Sequence, residues 1–276
     1  MNAMRMLSGW VVLALVPAMA AASGAAGVYK GSYAAFDGAD HGAVTIVVTG
    51  EGRVVCDFRS TPGNFSIITT GGSVSASAPF LVLDCVSSRP SNGGAWYAAT
   101  DASSRAGGSM SGTWTAVEGP ISENPPPTGS FEAHWVSPLD PIDPAAMAGM
   151  WVGDSLFGAF TLVPAKAGLV VSWMGVSNEA RSTPDGTLVG PPAGSPLWLL
   201  SDVGPATILP GDTVTLNVVA PRLPTPDLEP PAVDASGSLS ITFVDCHTAT
   251  AIFETENLAT VANLTQLAGI ADAPGC

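Results

Sequence analysis

The sequence predicts an all-β protein built from two related modules, and two observations support this prediction. Glycine (31) and proline (24) are abundant among the 276 residues, and valines and threonines cluster in short runs between them, which is typical of many short strands. In addition, Gly42 to Val47 (GAVTIV) returns as Gly158 to Val163 (GAFTLV) at a spacing of 116 residues. Because solenoid repeats run about 20 to 50 residues, a period this long indicates duplicated domains.

Two shorter and less exact repeats flank this one. Gly27 to Gly31 (GVYKG) corresponds to Gly149 to Gly153 (GMWVG) upstream, and Gly108 to Trp114 (GSMSGTW) corresponds to Gly237 to Phe243 (GSLSITF) downstream. The predicted modules therefore cover residues 27–137 and 149–276. Each is long enough to bury a core of its own.

The first strands of the first module can be oriented from their alternation. Residues 44–48 and 53–59 flank a glycine-containing loop and predict a β-hairpin. In the second strand Val54, Cys56 and Phe58 face inward, whereas Arg53, Asp57 and Arg59 face outward. Further strands are predicted at 65–70, 72–77, 80–86, 96–100, 109–117 and 130–136. Seven or eight such strands suit a sandwich or a barrel.

Residues 138–148 predict a stiff linker, since three prolines fall within seven residues. In the second module the predicted strands lie near 158–164, 169–174, 187–189, 197–201, 213–219, 238–245 and 249–255. Residues 221–231 hold five prolines and predict either a surface excursion or one long functional loop. The tail after Glu256 is compatible with a short helix or a strand, and analogy with the first module favours a strand.

The second module opens with Gly149-Met150-Trp151, continues with Trp173 and Trp198, and ends in Leu264-Thr265-Gln266-Leu267. In these residues it resembles a β-rich module of no known activity that is repeated in secreted proteins of Gram-negative bacteria, where arginine usually occupies the position of Gln266. The first module is similar to glycine-rich bacterial β-domains. Neither resemblance implies catalytic residues.

The N-terminus predicts export. Arg5 precedes an apolar run from Trp10 to Val16 and then Ala18-Met19-Ala20, so residues 1–22 are expected to be a cleaved signal peptide. The run is shorter than the roughly 20 residues that cross a bilayer, so no transmembrane anchor is expected. The expected location is secreted, periplasmic or at the cell surface.

An oxidising location makes the four cysteines readable as disulfides. We expect one bridge between Cys56 and Cys85 and another between Cys246 and Cys276, each within one module. Strand parity points Cys56 and Cys85 inward, and points Cys246 outward, where a C-terminal tail could reach it.

Charge excludes one class of partner. Only 12% of the residues are charged, yet the formal net charge is −14 and the sequence pI is about 4.2. Nucleic acid would be repelled. The simplest role for this acidity is to keep a rather apolar exported chain soluble.

The motifs for catalysis and metal binding are weak. Gly108-Ser109-Met110-Ser111-Gly112 fails the nucleophile-elbow pattern, because its central residue is methionine. We interpret Asp37, Asp40 and His41 as a capped turn rather than a calcium loop, Asp140 and Asp143 as solvated linker acids, and Asp245-Cys246-His247 as a disulfide environment rather than a zinc site. A glycosidase would need two facing carboxylates, for which the sequence offers Glu132, Asp154, Glu179 and Asp245.

The tryptophans offer the remaining functional signal. Trp114 and Trp151 occupy repeated positions and are expected in the core, whereas Trp96, Trp135 and Trp198 are the candidates for an exposed sugar-stacking platform. We expect a non-catalytic surface, envelope or extracellular protein that is structural or binds a partner, with no cofactor. A carbohydrate-binding protein is the alternative, and a secreted hydrolase with a carboxylate pair is a third possibility.

Overall fold

The computed structural model describes residues 25–63, 66–77, 80–83, 85, 97–104, 108–117, 128–153, 158–176, 181–182, 188–189, 196–221, 233–255 and 258–269. The predicted signal peptide, Trp96, Asp154, Glu179 and Cys276 lie outside these ranges. The chain divides into two compact units, and the boundary between their main parts falls between Asp140 and Pro141. In the part of the chain that is described, no helix has the length and apolarity needed to cross a membrane.

The first unit is a closed barrel of eight antiparallel strands in which each strand pairs with the next along the chain. Closure comes from pairing between the first and last strands, where Tyr33 lies opposite Phe131. The all-β prediction is thus confirmed, and the choice between sandwich and barrel is settled in favour of a barrel. The strands are β1 (Gly27–Ala35), β2 (His41–Val48), β3 (Arg53–Ser60), β4 (Ser66–Ser77), β5 (Phe80–Leu83), β6 (Tyr97–Ser104), β7 (Ser109–Val117) and β8 (Thr128–Ser137).

The second unit is also a closed eight-stranded barrel, with a separate two-stranded sheet inserted after its third strand. A short helix, α1 (Pro144–Met147), precedes it. Its strands are β9 (Gly149–Gly153), β10 (Gly158–Ala165), β11 (Gly168–Val176), β14 (Pro196–Ser201), β15 (Thr213–Pro221), β16 (Val233–Phe243), β17 (Thr248–Thr255) and β18 (Leu258–Gly269), and the inserted pair is β12 (Arg181–Ser182) and β13 (Leu188–Val189). In the described part of the tail after Glu256, residues 258–269 form a strand, as the analogy with the first module predicts.

Both barrels begin with the same local structure. Gly27 and Gly149 have φ values of 150° and 130°, a conformation that suits glycine far better than other residues. Two residues later a fully buried aromatic side chain turns back: the Tyr29 hydroxyl donates to the Ala25 carbonyl, and the Trp151 indole donates to the Met147 carbonyl, both at 2.8 Å. These bonds tie Ala25 to the start of the first barrel and the end of α1 to the start of the second.

The repeated segments predicted from sequence occupy matching positions in part. The 42–47 and 158–163 copies lie in β2 and β10, the second strand of each barrel. The downstream pair of similar segments does not occupy matching positions. The first copy lies mainly in β7, the seventh strand of the first barrel, and the second copy lies in β16, the sixth strand of the second barrel. Gly108 precedes β7, whereas Gly237 lies inside β16, so this similarity does not mark equivalent positions in the two barrels.

Apolar side chains fill the described interior of the first barrel. Val54, Cys56 and Phe58 face the core as predicted, and the Cys56–Cys85 disulfide is confirmed, with a Cα–Cα distance of 5.9 Å. Asp57 differs from the prediction, since it is only 2% exposed although its strand parity directs it outward. Its carboxylate accepts hydrogen bonds from Arg59 at 3.1 Å and from Ser66, and these partners offset the cost of burying a charge.

The predicted linker needs correction at its C-terminal end. Residues 141–148 belong to the second unit, where Ile142, Ala146 and Met147 are part of its buried core. Ile142 also forms a β-bridge with Ile208. The prolines misled the prediction because one of them, Pro144, begins α1, a helix position that tolerates proline.

The orientation of Cys246 also differs from the prediction. It is disulfide-bonded, as expected, but it is fully buried in the second core rather than turned outward. Strand β16 ends at Phe243, so the alternation that holds along β16 does not extend to Cys246. The predicted partner, Cys276, lies outside the described residues.

Candidate functional site

Two of the three tryptophans singled out by the sequence lie in described segments, and both are exposed. Trp135 is 42% exposed on β8 of the first unit, and Trp198 is 50% exposed on β14 of the second. They belong to separate barrels. Trp114 and Trp151 are 7% and 0% exposed, which confirms their expected place in the core.

Trp198 lies on a part of the second barrel whose outer side chains are uncharged and mostly apolar. Met150, Val163, Met174 and Trp198, on β9, β10, β11 and β14, are 46% to 65% exposed, and we call this set the apolar face. Met174 pairs directly with Trp198 across β11 and β14. These four adjacent strands contain no Asp, Glu, Lys or Arg in a chain of net charge −14.

The Trp198 indole is held in place on this face. Its Nε1 donates to the Ser172 hydroxyl at 2.7 Å, between neighbouring strands. The hydrogen bond fixes the ring orientation and satisfies its donor, leaving the apolar part of the indole as the contacting surface. Thr161 on β10 pairs with Ser172 across the strand ladder and carries the other hydroxyl on the outer side of β10 and β11.

Trp135 has different surroundings. Its indole lies against Gly27, where an added Cβ would fall 2.5 Å from Nε1. Along β8 it has the parity of the buried Phe131 and Ala133, on the side opposite to the outward Glu132 and His134. Trp135 and Trp198 are therefore chemically distinct candidates.

A Ser-His-Glu arrangement, not predicted from the sequence, lies on the outer surface of the first barrel. Ser109 Oγ is 3.0 Å from His134 Nδ1, and His134 Nε2 is 3.5 Å from a Glu132 carboxylate oxygen. The cross-strand pairing of Ser109 with His134 brings them together. Such pairing cannot be read from residues 25 positions apart in one sequence.

This arrangement lacks the setting that nucleophilic catalysis needs. The His134 and Glu132 side chains are 62% and 65% exposed, so water screens their interaction. Strands β7 and β8 each pair on both sides, which engages their backbone N–H groups in the barrel ladder rather than in an oxyanion hole. We interpret the three side chains as a surface cross-strand network.

The turn that contains Asp37 and Asp40 connects β1 and β2 at one end of the first barrel, and both carboxylates accept hydrogen bonds there. The Asp37 carboxylate accepts from the Ala39 amide, as a capped turn does. Asp40 accepts from the hydroxyls of Tyr33 at 2.9 Å and Ser60 at 2.7 Å. Burial raises the pKa of Tyr33, and its hydrogen bond to Asp40 together with that carboxylate's negative charge raises it further, so the phenol stays protonated.

Two further acids singled out by the sequence, Asp143 and Asp245, have structural partners as well. Asp143 caps α1 by accepting from the Ala145 amide at 2.8 Å, and Asp245 accepts from the His247 amide at 2.9 Å. Within the described residues, no three His, Cys, Asp or Glu side chains are placed to hold a metal ion. Of the glycosidase candidates, Glu132 and Asp245 lie in different units.

Two indole nitrogens are a feature that the sequence did not suggest. Among the described residues, Trp114 Nε1 and Trp173 Nε1 are buried and have no hydrogen-bond partner. Trp114 belongs to the first core, and Trp173 packs against the second. Because an unsatisfied buried donor costs about 1 to 3 kcal/mol, each requires an explanation.

No protein-family model, no curated protein and no solved structure matches this chain.

Proposed function

We propose that this is an exported, non-catalytic binding protein whose docking surface is the apolar face of its second barrel. One observation carries the proposal: four neighbouring strands present half-exposed Met, Val and Trp side chains to solvent. Contiguous exposed apolar surface marks interaction sites on soluble proteins. Export itself rests on the N-terminal sequence pattern.

Charge narrows the class of partner. The four strands carry no ionisable acid or base, whereas the chain as a whole has a net charge of −14. Two molecules of like charge can therefore approach through this face without placing charges opposite one another. We propose that the partner presents an uncharged, apolar protein surface, and that the same face of a second copy meets this requirement.

A neutral carbohydrate is the second candidate, and the half-exposed Trp198 indole favours it. A sugar ring stacked on Trp198 would need hydrogen-bond partners for its hydroxyl groups, because unpaired polar groups are costly to desolvate. The nearest outward neighbours across the strand ladder are Met174 on β11 and Ala159 on β10. These apolar neighbours support the protein partner over the sugar.

A pair of matched substitutions tests the docking surface. Val163 and Val203 are similarly exposed, at 46% and 52%, but only Val163 belongs to the apolar face. We expect sedimentation equilibrium to show reversible self-association that Val163→Asp abolishes and Val203→Asp preserves. A monomer at every concentration, or equal effects of the two substitutions, would contradict the second-copy assignment.

Affinity electrophoresis in gels containing neutral polysaccharides tests the carbohydrate candidate. If a sugar is the ligand, the chain is retarded and Trp198→Ser loses this retardation, while Trp135→Ser keeps it. The non-catalytic part of the proposal is tested with p-nitrophenyl acetate. Turnover by the full chain that Ser109→Ala removes would show that the surface network is an active site.

A further inference from the structure

The methionines of the two barrels differ in their access to solvent. Of the eight methionines in the chain, those beyond the predicted signal peptide are at positions 110, 147, 150 and 174. Met110 and Met147 are fully buried, one in each core, whereas Met150 and Met174 are 47% and 65% exposed. Both exposed methionines belong to the apolar face.

The cysteines offer no competing site for an oxidant. Cys56, Cys85 and Cys246, the cysteines in the described part of the chain, are all disulfide-bonded. A disulfide has no thiolate, which is the form of cysteine that oxidants attack. Among the described residues, the sulfur that is both oxidisable and accessible is therefore confined to the apolar face.

Met174 lies between two apolar neighbours on this face. It pairs with Trp198 of β14 on one side and with Ala159 of β10 on the other. Residues directly opposite one another in an antiparallel pair have Cβ atoms about 4.5 to 5.5 Å apart, so both side chains adjoin Met174. Neither offers it a donor, because alanine has no polar side-chain atom and the Trp198 N–H is bonded to Ser172.

Met150 has a more polar neighbour. It pairs with Thr161 across β9 and β10, and the Thr161 hydroxyl is on the same outer side of the barrel. A hydroxyl can donate a hydrogen bond to an oxygen atom added to a methionine. The two exposed methionines therefore form a matched pair with different surroundings.

We propose that Met174 is an oxidation site that controls docking through the apolar face, an inference that rests on the proposed function. The oxidant is a peroxide. With hydrogen peroxide, the thioether sulfur attacks one oxygen, the S–O bond forms as the O–O bond breaks, and the other oxygen leaves as water with both protons. Sulfur loses two electrons, which the peroxide gains.

The product, methionine sulfoxide, is polar where methionine is apolar. In an assembled interface the new oxygen on Met174 is desolvated beside Ala159 and Trp198 without a donor, and burying an unpaired polar group is costly. A sulfoxide at Met150 disrupts docking less, because Thr161 can donate to it. Enzymatic reduction returns the apolar side chain, so this control is reversible.

Peptide mapping of the folded full chain, after brief exposure to hydrogen peroxide, tests the oxidation site. We expect Met150 and Met174 to gain one oxygen atom each, while Met110 and Met147 stay reduced. After unfolding in guanidinium chloride, all of these methionines should react at similar rates. Equal reaction of the buried and the exposed methionines in the folded chain would overturn the site.

Sedimentation equilibrium before and after oxidation tests the control of docking. We expect oxidation to weaken self-association of the unaltered chain at least about tenfold, as the burial of an unpaired polar group predicts. Met174→Leu keeps a similar apolar volume, so it should associate normally and retain most of its affinity after oxidation. Met150→Leu should lose affinity as the unaltered chain does. Methionine sulfoxide reductases acting on both epimers should restore association.

Unchanged association of a chain with mapped sulfoxide at Met174, or equal losses in Met174→Leu and Met150→Leu, would overturn the inference. A chain that is monomeric before oxidation would instead contradict the proposed function. Binding of the neutral apolar dye Nile red then decides the inference, because a sulfoxide at Met174 should reduce dye binding in the unaltered chain but not in Met174→Leu. Dye binding that oxidation leaves unchanged would overturn it.

Discussion

At the residue scale, the polar groups of the first barrel show how burial and hydrogen bonding work together. Tyr33 is 5% exposed, yet its hydroxyl reaches the partly exposed carboxylate of Asp40. The phenol is kept neutral because ionising it would place a negative charge in apolar surroundings next to another one. Ser60 supplies the second donor to the same carboxylate.

This arrangement predicts a loss of stability in alkaline solution. The pKa of Tyr33 is raised in the folded chain, so above the ordinary tyrosine pKa of about 10 the unfolded state releases a proton that the folded state retains. The contribution of Tyr33 is therefore complete below pH 10 and falls as the pH rises further. Urea unfolding between pH 8 and pH 11 measures it.

Tyr33→Phe is the matched variant. It should be less stable by about 1 kcal/mol near pH 8, because it lacks one hydrogen bond. Its stability should also fall less steeply above pH 10 than that of the unaltered chain. Identical slopes for the two proteins would show that Tyr33 does not titrate in this way.

At the element scale, the second barrel closes by pairing of β18 with β9, and a side-chain contact joins this seam to the helix before the first strand. Gln266 of β18 donates to the carbonyls of Ala146 and Ala148 at 3.1 and 2.9 Å. Its side-chain oxygen is 2.5 Å from His247 Nδ1. One amide group thus joins α1, β18 and the turn before β17.

Gln266→Ala should destabilise the second barrel by about 1 to 2 kcal/mol, because carbonyls at the end of α1 lose their donor. Thr265→Ala, on the exposed neighbouring residue, is the control and should change stability by less than about 0.5 kcal/mol. Thermal unfolding monitored by near-ultraviolet circular dichroism measures both variants. Equal effects would remove Gln266 from this role.

Sequence patterns predicted the elements best where alternation is strong. Strand β7 begins and ends where expected, and β3 has the predicted inward residues. The neighbours of the candidate site residues were harder to predict from the sequence. Ser109 meets His134, and Trp114 meets Tyr33, only through strand pairing and barrel closure. Barrel closure depends on the pairing of all eight strands, so no local sequence pattern predicts it.

At the scale of the whole molecule, each barrel has its own hydrophobic core. The cluster that contains Tyr29 and Phe131 lies in the first unit, and the cluster that contains Trp151 and Phe243 lies in the second. The two clusters have no residue in common. Domains that bury separate cores can in principle fold alone.

We therefore expect residues 25–140 and 141–276 to fold as separate proteins, each with a cooperative thermal transition. The second piece should lose its transition when it is shortened to begin at Gly149, because Ile142 and Met147 are then missing from the core. Differential scanning calorimetry of the three pieces tests this. Cooperative unfolding of the shortened piece at an unchanged temperature would mean that α1 is not needed.

Barrel closure also has a kinetic consequence. The strands that complete each ring stand at opposite ends of their unit, so Val28 meets Ser137 and Gly149 meets Gly269, more than one hundred residues away along the chain. Strands that are neighbours in sequence can pair early in folding. The first and last strands can pair only when the last strand is available, and their pairing costs the entropy of closing a long loop. Until then each sheet has two open edges, the state in which an antiparallel chain is most prone to pair with the wrong partner.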